Sequence, residues 1–283
     1  MSRRDTVALK WLLGATLRNH RKAARKTLEH SAAHLGVSES KISNMESGRY
    51  GQPPDEVAKL LAFYDADPDR VERIIALARE EDEGSWWAPW SGVIPNWLRL
   101  FAGLEGMAQS VFIYEPLAVH ALLQTERYAT AVAAGARRVR PADADLVVGF
   151  RLERARRLAQ AENPLVLQAV LEETALHRPV GDREVMRGQL AHLLELNRMP
   201  NVDIRVIRTS AGVHPALAGQ FTLLQFKDFS DVAYVELQED AVYLHDPNKV
   251  RAYNMSAESL RAAALGQRDT NSLIASLVEG AQS

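Results

Sequence analysis

The side chains best placed to do chemistry lie between residues 35 and 48, which read LGVSESKISNMESG. Two short helices joined by a tight glycine-containing turn make a helix-turn-helix; its second helix enters the major groove of DNA and its first lies across the backbone. Gly36 can end one helix in the left-handed conformation that glycine permits, Ser38 can N-cap the next, and Gly48 can end it. Leu35, Val37, Ile42 and Met45 fall where the two helices pack together, which leaves Ser38, Glu39, Ser40, Lys41, Ser43 and Asn44 facing outward. The chemistry on offer is recognition. Lys41 can donate to guanine acceptors, Asn44 can pair with adenine, and Glu39 can accept from the cytosine amino group.

Catalytic chemistry finds no comparable support. The chain has eight histidines and no cysteine, so thiol nucleophiles and cysteine-held metal sites are excluded. His30 and His34 have the i, i+4 spacing of a metal pair, but no third ligand is evident nearby. They read as exposed polar residues on a helix. His245-Asp246 would need further His and Asp partners to form a metal dyad, and the same holds for His177. His214, flanked by glycines in SAGVHPALAG, is the histidine best placed for a function, and it reads as a loop-ordering residue. There is no G-x-S-x-G elbow, no G-x-G-x-x-G and no Walker A. The chain is therefore expected to be no enzyme and to carry no cofactor and no metal.

The elements that position the recognition residues follow from periodicity and caps. Residues 6–24 read as an amphipathic helix ending in a basic turn. Thr27 can N-cap a second helix running to Leu35, followed by the third helix (ESKISNMES), a fourth over 54–64 and a fifth after Pro68. This gives an all-α, five-helix domain over residues 1–83. Residues 84–97 (GSWWAPWSGVIPNW) lack periodicity and hold four of the five tryptophans, so they read as a linker pinned by aromatic packing. From residue 98 to 283 the pattern is mixed. Helices are expected over 98–108, 119–134, 142–161, 182–198, 247–264 and 268–280. Strands are expected over 110–114, 164–171, 201–208, 221–226, 232–237 and 241–245. The short alternating runs after residue 200 suggest an antiparallel meander covered on one face by helices, an α+β arrangement. Arg151, Arg154 and Arg157, at i, i+3 steps beside Arg156, read as a solvated helix face.

Charge supports this division. The chain of 283 residues has a net charge of −2, but residues 1–50 hold ten Lys/Arg against four acids, and residues 51–83 hold four against ten. A basic block at one end is the footprint of a phosphate-binding module. Lys10 and the HRKAARK segment interrupt any signal-peptide reading of the Ser2-Arg3-Arg4 start, and no run of about 20 apolar residues occurs. A cytoplasmic protein with no membrane partner is expected.

Residues 10–66 resemble the helix-turn-helix of the phage-repressor and xenobiotic-response-element type. The resemblance implies that Glu39, Ser40, Lys41 and Asn44 read base edges, and that Ser38, Ser43, Arg49, Arg18, Arg21 and Lys22 hold phosphates of operator DNA, bound by a homodimer. Thr27, the cap of the helix before the turn, is counted among the DNA-binding residues as well. Two positions depart from the pattern: Leu28 stands where a phosphate-clamping Gln is usual, and Ser31 where a core Leu is usual. The segments IYEPLAVHALLQTERYA (113–129), ETALHRPVGDREVMRGQLAHLLEL (173–196), PNVDIRVI (200–207) and SAGVHPALAGQFTLLQF (210–226) resemble the large domain of unknown function found behind such modules in toxin–antitoxin-like regulators from high-GC bacteria. That resemblance implies a very small protein partner encoded nearby. It leaves two readings of function: a DNA-binding transcriptional regulator controlled by a partner or ligand, or an antitoxin-like module that sequesters a small protein, with DNA binding autoregulatory. Members often carry Pro-Gly where this chain has His120-Ala121, and the helix there is expected to be more continuous as a result.

Overall fold

The computed structural model describes residues 5–79 and 84–280. The Arg3-Arg4 start, residues 80–83 at the expected boundary of the first domain and residues 281–283 lie outside the described residues. The first domain is five helices: α1 (Thr6–Ala23), α2 (Leu28–Leu35), α3 (Glu39–Ser47), α4 (Pro54–Phe63) and α5 (Pro68–Arg79). Their ends are chemical. Asp5 accepts the Ala8 amide at the start of α1, Thr27 the His30 amide of α2, and Ser38 the Lys41 amide of α3. Gly36 (φ 69°) and Gly48 (φ 67°) end α2 and α3 in the left-handed region, where a side chain would be strained.

The second domain contains α6 (Asn96–Met107), β1 (Ser110–Glu115), α7 (Glu126–Gly135), α8 (Ala144–Ala155), β2 (Val166–Glu172), α9 (Glu173–His177), α10 (Arg183–Leu196), β3 (Val202–Ile207), β4 (Phe221–Gln225), β5 (Val232–Glu236), β6 (Ala241–Leu244), α11 (Pro247–Ala263) and α12 (Gln267–Gly280). The six strands form one sheet in the order β3-β2-β1-β4-β5-β6. It is mixed, not the antiparallel meander expected. The pairs β1–β2 and β2–β3 are parallel, while β1–β4, β4–β5 and β5–β6 are antiparallel. Parallel neighbours need a crossover of a dozen or more residues, and the helices α7 with α8, then α9 with α10, supply the two crossovers. The alternation of β3 therefore does not lead into a hairpin with β4. The loop between them carries the chain past β2 and β1 to the far side of β1.

Two other expectations fail locally. The 119–134 helix is broken: residues 121–123 make one 3-10 turn, and Thr125 then caps α7 by accepting the Tyr128 amide. The His120 ring accepts the Leu122 amide, and that local bond holds the turn apart from the helix. The arginine face is solvated only in part: Arg156 is exposed and Arg151 half-exposed, but the other two are not. Arg154 and Arg157 are buried. Arg154 makes a two-pronged bond to Glu105 of α6, both contacts 2.8 Å, while Arg157 donates to the Glu105 and Ala108 carbonyls at the end of α6.

One continuous apolar cluster runs from the first domain (Leu12, Leu17, Ile42, Met45) through Phe101 and Leu104 of α6 to the sheet (Val111, Ile113, Leu167). The opposite sheet face packs Phe112, Val170 and Phe221 against Val250 and Leu260 of α11. The tryptophan segment lies on α6 and α8: Trp86 stacks on Phe150 and donates to the Ala102 carbonyl. No helix among the described residues is long and apolar enough to cross a membrane.

Candidate nucleic-acid interface

The recognition surface starts from how tightly α1 crosses α3. A Cβ at Gly14 would stand 2.6 Å from the Glu46 carbonyl oxygen, so only glycine admits this approach. Gln52 spans the crossing by donating to the Lys10 carbonyl. With Ile42 and Met45 fully buried against α1, the opposite side of α3 is turned outward. Ser38, Glu39, Ser40 and Ser43 are exposed, and Lys41 and Asn44 are half-exposed. Arg49 and Tyr50 follow, both exposed. Tyr50 was not singled out from the sequence; its only signal there is its place just beyond the helix end.

The cations divide by what already holds them. Arg18 and Lys22 are exposed on α1. Arg21 is not: its guanidinium grips the Glu46 carboxylate with two bonds and also donates to the Lys26 carbonyl. Both side chains of that pair are largely buried. We assign Arg21 to fastening α1 onto α3, although its sequence position suggested a phosphate contact. Thr27 is occupied as the α2 cap. Ser31, the apparent defect in the core, is fully buried and satisfied: its hydroxyl donates to the Thr27 carbonyl and accepts from the Tyr64 hydroxyl. His30 completes the cap box of α2, and His34 stacks on Phe63 at 4.0 Å. Neither ring meets a third ligand, and no group of metal-ligating side chains occurs among the described residues.

Lys41 is held more loosely. Its ammonium lies 2.7 Å from a Glu56 oxygen of α4, with its side chain 41% exposed. To reach a base it must leave that carboxylate. Glu56→Gln is therefore expected to tighten operator binding by about two- to fivefold, the scale of one partly exposed ion pair. Fluorescence anisotropy at fixed salt checks this, and unchanged or weaker binding would show that Lys41 does not turn towards DNA.

Two family models match the chain: a helix-turn-helix domain over residues 12–74, and the domain of unknown function DUF5753 over residues 98–276. The chain belongs to the DUF5753 family. No curated protein and no solved structure matches it.

The DUF5753 domain meets the helix-turn-helix domain through several specific contacts. Gly103 of α6 faces Asp5 and Ala8, with no room for a Cβ. Trp11 packs edge-on against His245 at 5.4 Å. Asn19 donates to the His245 carbonyl, and Arg70 and Arg73 bind Asp228. Burial, with Arg18 and Lys22 nearby, keeps the His245 ring below its ordinary pKa. His214 belongs to a cluster at the carboxyl ends of β1 and β2: its Nε2 is 3.0 Å from Glu172, which also accepts from the Tyr114 hydroxyl at 2.9 Å. These bonds tie the β3–β4 loop to the sheet.

His120 is held neutral. Burial, then the charges of Arg154 and Arg151, push its pKa down to about 3. The unfolded chain takes up a proton at this residue below about pH 6.5, and the folded chain refuses it. Its contribution to stability is thus complete above pH 6.5 and is lost as pH falls towards 3. His120→Asn keeps an acceptor for the Leu122 amide and cannot titrate. Urea midpoints at pH 7.5 and 5.0 are expected to differ less in the variant than in the parent. An equal difference would remove His120 from the pH response.

Proposed function

We propose that the protein is a sequence-specific transcriptional regulator. It would bind operator DNA as a homodimer, with Glu39, Ser40, Lys41 and Asn44 reading bases and Ser38, Ser43, Arg49, Arg18 and Lys22 meeting phosphates. The carrying observation is the outward face of α3, capped and backed by a rigid α1 crossing, with its polar side chains exposed. The contacts of α1 and α5 with the DUF5753 domain support a second part: control through that domain by a ligand or a small protein, since a change there bears directly on the helix that backs α3. Localisation in the cytoplasm and the absence of enzymatic activity belong to the same proposal.

The test is binding to DNA from just upstream of the protein's own gene, across a salt series, beside a scrambled duplex. The expected result is selective binding to the native duplex, by about a thousandfold or more, with a steep loss of affinity as salt rises. Equal, weak binding to both duplexes would overturn the reading.

A further inference from the structure

A cavity of about 1310 Å³ opens beside the carboxyl ends of β1 and β5, walled by α8, by the segment leading into α6 and by the turn before α7. Its charges are arranged unusually. Arg154 is saturated by Glu105, and Arg138 at the rim pairs with Glu239 at 3.3 Å. Arg99 donates to the Ser91 carbonyl. Arg151 has no carboxylate at ion-pair distance among the described residues; its one bond is to the neutral Gln124 side chain, 3.1 Å. Glu115, which also lines the cavity, is bonded to the backbone at Leu117, with the carboxylate of Glu236 near it and no cation paired to it among the described residues. Burial and that second carboxylate raise Glu115 to about 7. The rings of Phe101, Phe150 and Tyr234 also line the cavity.

The Arg151 guanidinium stands in the cavity with no carboxylate at ion-pair distance among the described residues, Glu236 acting on it only from farther off, and burial drives Glu115 towards its protonated form for want of a cation beside it. Burial of unpaired charge is costly. A single occupant with an anionic group for the Arg151 fork and a cationic group for Glu115 and Glu236 would answer both, while its apolar body would lie on the rings. The volume exceeds the roughly 300–1,000 Å³ of ordinary ligand pockets, so size does not limit such an occupant. We propose that this cavity binds a zwitterionic small molecule of the amino-acid or short-peptide class, its carboxylate on Arg151 and its ammonium on Glu115 and Glu236. The assignment deepens the ligand half of the proposed function. It rests on that reading only for its consequence at DNA: α6, whose Phe101 faces the cavity, carries Gly103 against the start of α1.

The test uses the full-length protein without DNA, so that failure of operator binding and failure of this site are read separately. Isothermal titration is run with free phenylalanine, with unblocked phenylalanylalanine, and with the N-acetylated and C-amidated forms of that dipeptide. The unblocked dipeptide is expected to bind, and each block to weaken binding at least tenfold. Arg151→Gln is expected to weaken the unblocked dipeptide tenfold and to abolish discrimination against the amide. Glu115→Gln is expected to do the same for the acetylated form. Arg151→Gln removes a guanidinium that pairs with no carboxylate, so the fold should survive it, and circular dichroism checks this. Should that variant fail to fold, Arg151→Lys, which keeps the charge and loses the fork, is expected to bind several-fold more weakly than the parent. No binding of either unblocked molecule, equal binding of blocked and unblocked dipeptide, or unchanged binding in both cavity variants would overturn the proposal.

Discussion

Glu105→Leu is expected to destabilise the protein by about 3–5 kcal/mol, the usual cost of breaking a buried ion pair from one side. The carboxylate is 2% exposed and receives both prongs of Arg154, which is 5% exposed. Leucine would leave a permanently charged guanidinium in an apolar interior, over the rings of Phe101 and Phe150 at 5.3 and 5.6 Å. Arginine cannot escape by losing its proton. The double variant Glu105→Leu/Arg154→Met removes both charges and is expected to recover most of the loss, since an apolar pair of similar volume is often as stable as the ion pair it replaces. Urea denaturation of the parent, the single and the double variant tests this. A single variant within about 1 kcal/mol of the parent would mean that water reaches the pair. A double variant no better than the single would mean that the pair's geometry, and not its uncompensated charge, is what the α6–α8 junction needs.

The second large effect is on DNA. Lys41→Ala/Asn44→Ala removes the two base contacts proposed for α3, each expected to be worth about 1–3 kcal/mol at its own base pair. Selective operator binding should fall at least thirtyfold, whereas the scrambled duplex should lose only what one cation contributes, seen as a salt slope smaller by about one. Neither side chain is buried, and the Lys41–Glu56 pair that is lost is partly exposed, so thermal unfolding should change little. Equal losses on both duplexes would reduce α3 to a phosphate-binding helix and end the base-reading assignment. Combining the double variant with Glu56→Gln adds a control: with no Lys41 to release, Glu56→Gln should no longer strengthen binding.

The first domain was legible in the chain because its determinants are local. Thr27 and Ser38 cap helices three residues ahead, Gly36 and Gly48 stop them, and the apolar spacing of Ile42 and Met45 sets the buried side of α3. Each of these acts within one or two helical turns, so composition and spacing determine the helices and the outward set of polar side chains. What was not legible joins residues far apart in sequence. Arg21 and Glu46 are separated by 25 positions and Arg154 and Glu105 by 49. An arginine bound for a buried carboxylate has the same helical spacing as one bound for solvent or phosphate, so Arg21 and the Arg154 face were assigned outward. Strand order was hidden for a related reason. Period-two alternation shows that β3 and β4 each have an inner face, but hydrogen bonds between strands carry no trace in either segment alone, and the parallel core of the sheet is set by crossovers. The sequence by itself determined a helix-turn-helix with a particular polar face, followed by an α+β domain. The tertiary structure alone decided which of its charges are spent holding helices together, which are loosely held at α3 and which stand in the cavity, because pairing depends on distances that the fold creates.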